Sequence, residues 1–243
     1  MRRDDAAPAV VLSPHLDDAV LSVWSVLKQQ DDVEILNVFT SVPRPGFATR
    51  CDRVAGATES AAFMSLRMDE DRQALAVAGR QSTNLAFLDE QYRDQALSPA
   101  DIAEAIASHI SSASNVFGPA ALGGHGDHEL VRDVALAFAN HGVPVELYAD
   151  LPYAIRYGWP HWVLGMPADP YLKPEEDWRH FLEPLTDRLS EPRIHAFSDA
   201  QSDEKLDAMK KYRTQFPSLN SGIIGRLANP AVRRYEAFWA VER

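Results

Sequence analysis

Up to Leu151 the chain alternates short apolar runs with amphipathic stretches. Ala9 to Leu12 is apolar throughout and of strand length, and Val20, Leu21, Trp24 and Leu27 then recur at the spacing of one helix face. Val33 to Thr40 predicts the next strand. Strand, helix and strand within about 30 residues predict a right-handed βαβ unit, and hence a parallel sheet. Ser41 to Leu66, punctuated by Pro43, Pro45, Gly46 and Gly56, has no clean period and predicts a functional loop or a broken helix. Arg67 to Gly79 reads as helix and Asn84 to Leu88 as a short strand. A helix carrying Ile102, Ile106 and Ile110 starts at Ser98-Pro99, a capping side chain followed by proline at the first helical position. Val116-Phe117 marks the core of another strand. The helix after it, with Leu130, Val134, Ala137 and Phe138 on one face, ends at Asn140-His141-Gly142, where His141 is expected to make a cap contact. Val145 to Leu151 is the next strand.

The alternation stops there. Tyr153, Tyr157, Trp159, His161 and Trp162 crowd a proline-interrupted segment that can either line a sugar or aryl site or form a small local core. Leu182 to Phe197 predicts a strand or two, Gln201 to Phe216 a helix with Leu206 and Met209 inward, and Val232, Tyr235 and Trp239 a final helix. These elements predict an α/β fold: a Rossmann-like, mostly parallel sheet flanked by helices, with an irregular C-terminal extension, residues 1–243 forming a single domain.

Composition bounds what such a fold can do. With 243 residues, 46% of them hydrophobic, the chain can bury a sizeable core. Lys and Arg number 24 against 35 Asp and Glu, a formal charge of -11 that argues against nucleic acid or an anionic membrane as partner. The amino terminus lacks the apolar core of a secretory signal, and no run approaches the roughly 18 apolar residues of a membrane span, so a cytoplasmic protein is expected. The single cysteine, Cys51, excludes an intramolecular disulfide or a multi-cysteine zinc site and reads as an incidental thiol. A homo-oligomer is left open.

Two polar clusters add chemistry. Pro14-His15-Leu16-Asp17-Asp18 ends the first strand and opens the first helix, and His125-Gly126-Asp127-His128 stands in the same place after a later strand. Open α/β sheets put their ligand crevice at this carboxyl edge. Either cluster alone reads as a helix cap stabilised by the helix dipole. Two of them at one edge favour a site. His15 and Asp18, three apart at a helix entrance, can converge on one point with Asp17 directed elsewhere, and His125 and His128 have the same relation. His15, Asp18 and His128 then offer two imidazoles and a carboxylate, the donors of a catalytic zinc site with a position left for water. Asp17, beside such a metal but not needed as a ligand, is placed as general base. His125 can stabilise a tetrahedral oxyanion or protonate a leaving amine, and Asp127 can accept from His125 and fix its tautomer.

At these residues the sequence resembles the LmbE-like, or PIG-L, family of zinc-dependent de-N-acetylases. The family's Pro-His-Pro-Asp-Asp-Glu is similar to Pro14-His15-Leu16-Asp17-Asp18-Ala19, and its His-x-Asp-His to His125-Gly126-Asp127-His128. The resemblance implies zinc on His15, Asp18 and His128, Asp17 as base, and His125 with Asp127 as a charge-stabilising pair. Arg67, with Glu70 and Asp71, resembles the family's Arg-x-x-Glu segment, which helps shape the substrate pocket, although the three can equally form a solvated ion-pair group. Tyr148 to Tyr153 resembles a stretch common in the subgroup with Leu inside the first motif. Lys205 to Gln215 is similar to a late Lys…Tyr-x-Ser-Gln pattern, with Thr214 for Ser. Two departures stand out. Ala19 replaces the usual Glu, and Gly123-Gly124 occupy the place where some sugar deacetylases carry a tyrosine near the oxyanion, so any such donor must come from elsewhere.

The expected activity is removal of an N-acetyl, or other N-acyl, group from a small amino-sugar-type substrate or natural-product intermediate, with zinc as cofactor. Arg50, Arg53 and Arg67 are expected to face an anionic or hydroxylated substrate, and Tyr153 to line its site. A thiol-conjugate amidase would use the same chemistry. A non-haem Fe(II) oxygenase would recruit His15, Asp17 and His128 as a two-His-one-carboxylate triad, leaving Asp18 and His125 without roles. An inactive metal-binding module would keep the cluster and hydrolyse nothing.

Overall fold

Ala9–Ser13 forms β1, buried along its whole length, which is why its run is apolar without alternation. The computed structural model describes residues 7–156, 158–167, 171, 173–221 and 227–242. β1 pairs in parallel with β2 (Val33–Asn37) on one side and β4 (Asn115–Pro119) on the other. Beyond them lie β3 (Ser82–Asn84) and β5 (Val145–Tyr148), also parallel. The C-terminal region then returns to the same sheet. β7 (Tyr235–Ala240) runs antiparallel against β5 and β6 (Arg193–Ala196) antiparallel against β7, completing the order β3-β2-β1-β4-β5-β7-β6. The fold is therefore α/β with a mostly parallel seven-stranded sheet and antiparallel C-terminal strands.

Helices flank this sheet. The first helical stretch is split at Val23 (φ -133°, ψ 32°) into α1 (Asp18–Ser22) and α2 (Trp24–Gln29). A buried carboxylate accounts for the split. Glu236 of β7 accepts from the backbone N–H groups of Trp24 at 2.7 Å and Ser25 at 3.0 Å and from the Ser25 hydroxyl at 2.6 Å. Lys205 of a later helix neutralises it at 2.7 Å, both side chains being 0% exposed. The broken-helix alternative holds between Ser41 and Leu66: Thr49 caps a short α3 (Arg50–Val54), Gly56 turns the chain at φ +93°, and α4 (Ser60–Val77) begins ahead of the expected Arg67. α5 (Pro99–Ile110) starts on its Ser98 cap and α6 (Gly126–Asn140) ends at His141, whose Nδ1 lies 2.8 Å from the Ala137 carbonyl. Gly118 of β4 lets α6 approach the sheet closely, since a Cβ there would lie 2.8 Å from that of Ala135.

The C-terminal region departs from expectation in two places. Only α11 (Pro230–Arg233) is helical in the predicted final helix, and Tyr235–Ala240 is the buried strand β7. Its run of Ala237, Phe238 and Trp239 is continuously buried, the pattern of an inner strand that a helical stripe can imitate over one or two turns. Of the aromatic segment, Trp159 and Trp162 pack into a local cluster, while Tyr153 lines a cavity at the carboxyl edge of the sheet. α7 (His161–Leu164), α8 (Pro174–Leu182) and β7 bring Trp162, Trp178 and Trp239 together with Trp159; Trp178 lies 5.6 to 5.9 Å from the other three rings. Trp159 Nε1 donates to the Val232 carbonyl at 2.7 Å. Tyr157 lies outside the described residues. The helix expected from Gln201 to Phe216 ends earlier, as α9 (Asp199–Met209), with Lys205 and Met209 inward and Leu206 half-buried, and α10 (Phe216–Leu219) follows as a separate turn. Among the described residues no helix is long and apolar enough to cross a membrane.

The Lys205–Glu236 pair predicts a measurable cost. Lys205→Met leaves the Glu236 charge buried without its counterion and is expected to lower the unfolding free energy by about 3–5 kcal/mol in denaturant titration. A loss below about 1 kcal/mol would show that the backbone donors alone hold the carboxylate.

Candidate active site at the carboxyl edge of the sheet

The loops leaving β1, β4 and β5 meet at one edge. After β1, the Ser13 hydroxyl donates to the His15 carbonyl at 2.6 Å, and the His15 N–H donates to Asp18 Oδ2 at 2.8 Å, so the loop is folded around Asp18. Tyr212 braces the same loop from outside, its hydroxyl 3.1 Å from the Leu16 carbonyl and 2.8 Å from Asp71 Oδ1. Asp17 occupies the N-cap position of α1 but makes no side-chain cap bond. After β4, Ala121 adopts a left-handed φ of 59°, a conformation costing a non-glycine residue about 1 kcal/mol. Gly123 and Gly124 follow at φ 97° and 69° and turn the chain so that His125 caps α6, its Nδ1 accepting the Asp127 N–H at 3.3 Å. Asp127 and His128 lie buried in the first turn.

His15, Asp18 and His128 converge. Their donor atoms lie within 4.8 Å of one another, with Asp18 Oδ2 3.5 Å from His15 Nδ1 and 3.3 Å from His128 Nε2. The far nitrogen of each ring is held by a carboxylate: His15 Nε2 by Asp127 Oδ2 at 3.1 Å and His128 Nδ1 by Asp150 Oδ1 at 2.7 Å. These bonds put the protons on His15 Nε2 and His128 Nδ1 and turn the opposite lone pairs toward Asp18. His128 Nε2 is buried with no hydrogen-bond partner. A buried acceptor left over between a carboxylate and a second imidazole fits a divalent cation, with His15, Asp18 and His128 as ligands. His15, His125 and Asp127 form a second grouping of the same size, but the Asp127 carboxylate there is already engaged by Arg93 Nη2 at 2.5 Å and by the Glu90 N–H at 3.0 Å.

The electrostatics point the same way. Burial alone would lower the pKa of both His15 and His128, yet both are raised, His15 by Asp127 and Asp18 and His128 by Asp18 and Asp150. Burial opposes the ionised form of Asp18, but His128 and His15 outweigh it and hold this carboxyl down at about 2. Asp17 goes up, through burial and then the charge of Asp18, with Arg67 opposing. The pocket thus has more negative than positive charge and draws protons onto its imidazoles, a deficit that a cation would fill. His125 behaves differently. Burial, then His15 and His128, push it down to about 4, so it is neutral at pH 7, and with Nδ1 accepting a backbone N–H its proton sits on Nε2.

A cavity of about 430 Å³ opens over these groups, lined by His15, Asp17, Asp18, Arg67, His125 and Tyr153 among others. Tyr153 packs its ring 5.7 Å from that of His125 and 5.3 Å from that of His128. Several expectations need correction. Asp127 was expected to orient His125, but its carboxylate turns the other way, onto His15, because Arg93 and the Glu90 N–H draw it there. Asp18, not Asp17, stands with the two imidazoles, so the triad an Fe(II) oxygenase would need through Asp17 is not formed. Arg67 forms no ion-pair group with Glu70 and Asp71. It is buried with Nη2 3.9 Å from Asp17 Oδ1, while Glu70 accepts from the Thr214 hydroxyl at 2.7 Å and Asp71 from Asn37 Nδ2 at 2.8 Å. Arg53 is exposed and folds back onto the Ala48 carbonyl, away from the cavity, and Arg50 borders an adjoining groove instead. Of the late motif, Lys205 and Tyr212 brace the fold and Gln215 reaches the cavity wall. Asp150, Arg93 and Asp89, the last with Oδ2 3.8 Å from His15 Nε2, join the site without having been singled out by the sequence reading. Asp150 alone left a sequence signal, a carboxylate ending a third strand at the same edge.

Residues 10–139, holding both clusters, match the family described as PIG-L: GlcNAc-PI de-N-acetylase. The chain belongs to the PIG-L family. Among solved structures, a deacetylase triple mutant (Orf2*T) of the teicoplanin biosynthetic pathway superposes on this PIG-L protein with a TM-score of 0.75 at 28% identity, covering 97% of this chain and 98% of that one. The A40926 pseudoaglycone deacetylase Dbv21 does so at 0.74 and 29%, covering 98% of each. An N,N'-diacetylchitobiose deacetylase from Pyrococcus horikoshii, 17% identical, shares the fold at a TM-score of 0.55 over 97% of this chain and 84% of its own. No curated protein matches this chain. The PIG-L protein is accordingly an N-deacetylase, a hydrolase with a candidate His/Asp metal site.

Two measurements test the geometry. Asp150→Asn cannot accept from His128 in the same way and is expected to weaken zinc binding about 10–100-fold by isothermal titration; unchanged affinity would remove Asp150 from the support of the site. The raised pKa values of His15 and His128 stabilise the chelated fold below their unfolded value of 6.5, and this contribution is lost as pH rises through the folded values. Chelated PIG-L protein should therefore melt at progressively lower temperature as pH rises above about 6.5. Added zinc should recover the loss, and a flat pH profile would contradict the charge deficit.

Proposed function

We propose that the chain is a zinc-dependent hydrolase that removes an N-acetyl group from an amino sugar carried on a natural-product scaffold. The observation that carries this reading is the separation of two adjacent carboxylates. Asp18 faces the imidazoles of His15 and His128, while Asp17 lies in the cavity outside that donor set, uncapped and next to Arg67. The scaffold part of the reading is supported by the relatives' names, a teicoplanin-pathway deacetylase and an A40926 pseudoaglycone deacetylase.

Held by His15, Asp18 and His128, zinc would supply Lewis acidity, bringing the pKa of a coordinated water toward about 7 and polarising the amide carbonyl. Asp17 takes the proton from the attacking water and delivers it to the departing amine nitrogen. Burial and the neighbouring Asp18 make its carboxylate more basic than usual, and Arg67 opposes that rise. His125, neutral and protonated on Nε2, donates a hydrogen bond to the carbonyl oxygen as charge develops there, without acting as a cationic acid. Asp127 acts through His15 rather than through His125. Tyr153 closes the cavity over both imidazoles and excludes water from that side. Gln215 reaches the same cavity as His15, which supports residues 1–243 working as one catalytic unit.

A mass-spectrometric screen of N-acetylated sugars, aminoglycosides and glycopeptides with the zinc-loaded protein tests the activity by loss of acetyl. Chelation is expected to abolish turnover and zinc to restore it. Asp17→Asn should lower kcat about 10²- to 10⁴-fold with zinc still bound, and near-normal turnover in that variant would rule Asp17 out as the base.

A further inference from the structure

The cavity over the metal ligands does not end at Arg67. A second cavity of about 370 Å³ adjoins it, and Cys51, Arg67, Gln91 and Gln215 line both. Its outer wall is formed by Arg50 and Val54 of α3 and Ser218 of α10.

The neck between the cavities contains an unused donor. Arg67 is only 6% exposed, its Nε is buried with no hydrogen-bond partner, and its nearest carboxylate oxygen, on Asp17, is 3.9 Å from Nη2. Arg67 lines both cavities, and with its carboxylate partner beyond hydrogen-bond distance its guanidinium can take a second anion. The one carboxylate that lines the outer cavity, Asp52, is buried, and its Oδ2 is engaged by the Tyr92 hydroxyl at 2.8 Å and by the Ser60 hydroxyl. Arg50 stands exposed at the rim. Val54, 78% exposed, presents an apolar surface that none of the described residues covers. Cations at the neck and rim beside an exposed aliphatic wall suit a flat apolar group bearing an anion, and the cavity is of ligand size.

We propose that this outer cavity is a second subsite, which receives an aryl group carrying a carboxylate attached to the sugar whose N-acetyl group lies over His15, Asp18 and His128. The proposal rests on the deacetylase reading only for the location of the sugar. The ring lies against Val54, and the carboxylate is shared between Arg50 and the neck.

Binding of deacetylated products separates the subsite from the chemistry. Calorimetric titration of the zinc-loaded protein compares 2-amino-2-deoxyglucose as its methyl, phenyl and 4-carboxyphenyl β-glycosides. The carboxyphenyl glycoside is expected to bind at least about tenfold more tightly than the methyl glycoside, with phenyl between them, a tenfold ratio being about 1.4 kcal/mol. Arg50→Glu should remove the advantage of carboxyphenyl over phenyl, and Val54→Asp that of phenyl over methyl. Both positions are exposed, and thermal melts check that the variants remain folded. Equal affinities for the three glycosides, no detectable binding of any, or an advantage that survives both substitutions would overturn the subsite. Failure to release acetate from the N-acetylated forms would count against the deacetylase reading alone, because the product-binding comparison needs no turnover.

Discussion

Two hydrogen bonds set the direction of everything else in the site: Asp127 to His15 and Asp150 to His128. An imidazole can offer a lone pair at either nitrogen, and these carboxylates decide which one faces Asp18. Each bond ties together different strand ends. Asp127 and His128 belong to the first turn of α6, which follows β4, His15 to the loop after β1, and Asp150 to the loop after β5. The three donors therefore converge only if β1, β4 and β5 lie side by side and in parallel, which is their order in the sheet.

That dependence explains features remote from the cavity. The close approach of α6 at Gly118 sets where His128 lies relative to the sheet. The break at Val23 and the buried Lys205–Glu236 pair fasten the first helical stretch to β7, so the loop carrying His15 and Asp18 is secured from behind as well as at its own turn. Arg93 has a related part. It offsets the charge of Asp127 from the side opposite His15, and its guanidinium also donates to the Leu88 carbonyl at 2.9 Å and lies 5.0 Å from the Phe39 ring. An uncompensated carboxylate at 0% exposure would be costly, so the bond to His15 depends on this arginine as much as on the histidine.

The donor set was legible in the sequence because it uses local spacing. His15 with Asp18 and His125 with His128 are each three residues apart after an apolar run, and a parallel sheet brings such loops to one edge. What could not be read is what depends on side-chain direction in irregular chain. Asp127 has two nearby imidazoles, and the choice between them is made by Arg93 and the Glu90 N–H, from a segment with no periodic signal. Arg50 and Arg53 sit three apart on one short helix, yet Arg53 is taken by the Ala48 carbonyl beside the Thr49 cap, a local backbone acceptor that composition cannot reveal. The final strand reads as helix because Val232, Tyr235 and Trp239 match a helical stripe, and the buried run among them contains Glu236. That glutamate is an inner-strand residue only because a lysine from α9 and two backbone N–H groups meet it.

The glycines ahead of the second motif and the tyrosine after β5 are best understood as one arrangement. Gly123 has φ 97°, and a Cβ on it would lie 2.7 Å from the Cβ of Tyr153. A tyrosine at position 123 and one at position 153 would therefore compete for the same space. With no side chain at 123, the loop after β5 can bring its aromatic ring against His125 and His128, so the wall of the cavity comes from a different strand end. The loop that carries Tyr153 also carries Asp150, which holds His128 and accepts from the Leu122 N–H at 3.0 Å. Placement of the aromatic wall and orientation of the His128 imidazole are thus fixed by a single short connection, and a change in that loop's path would alter both together.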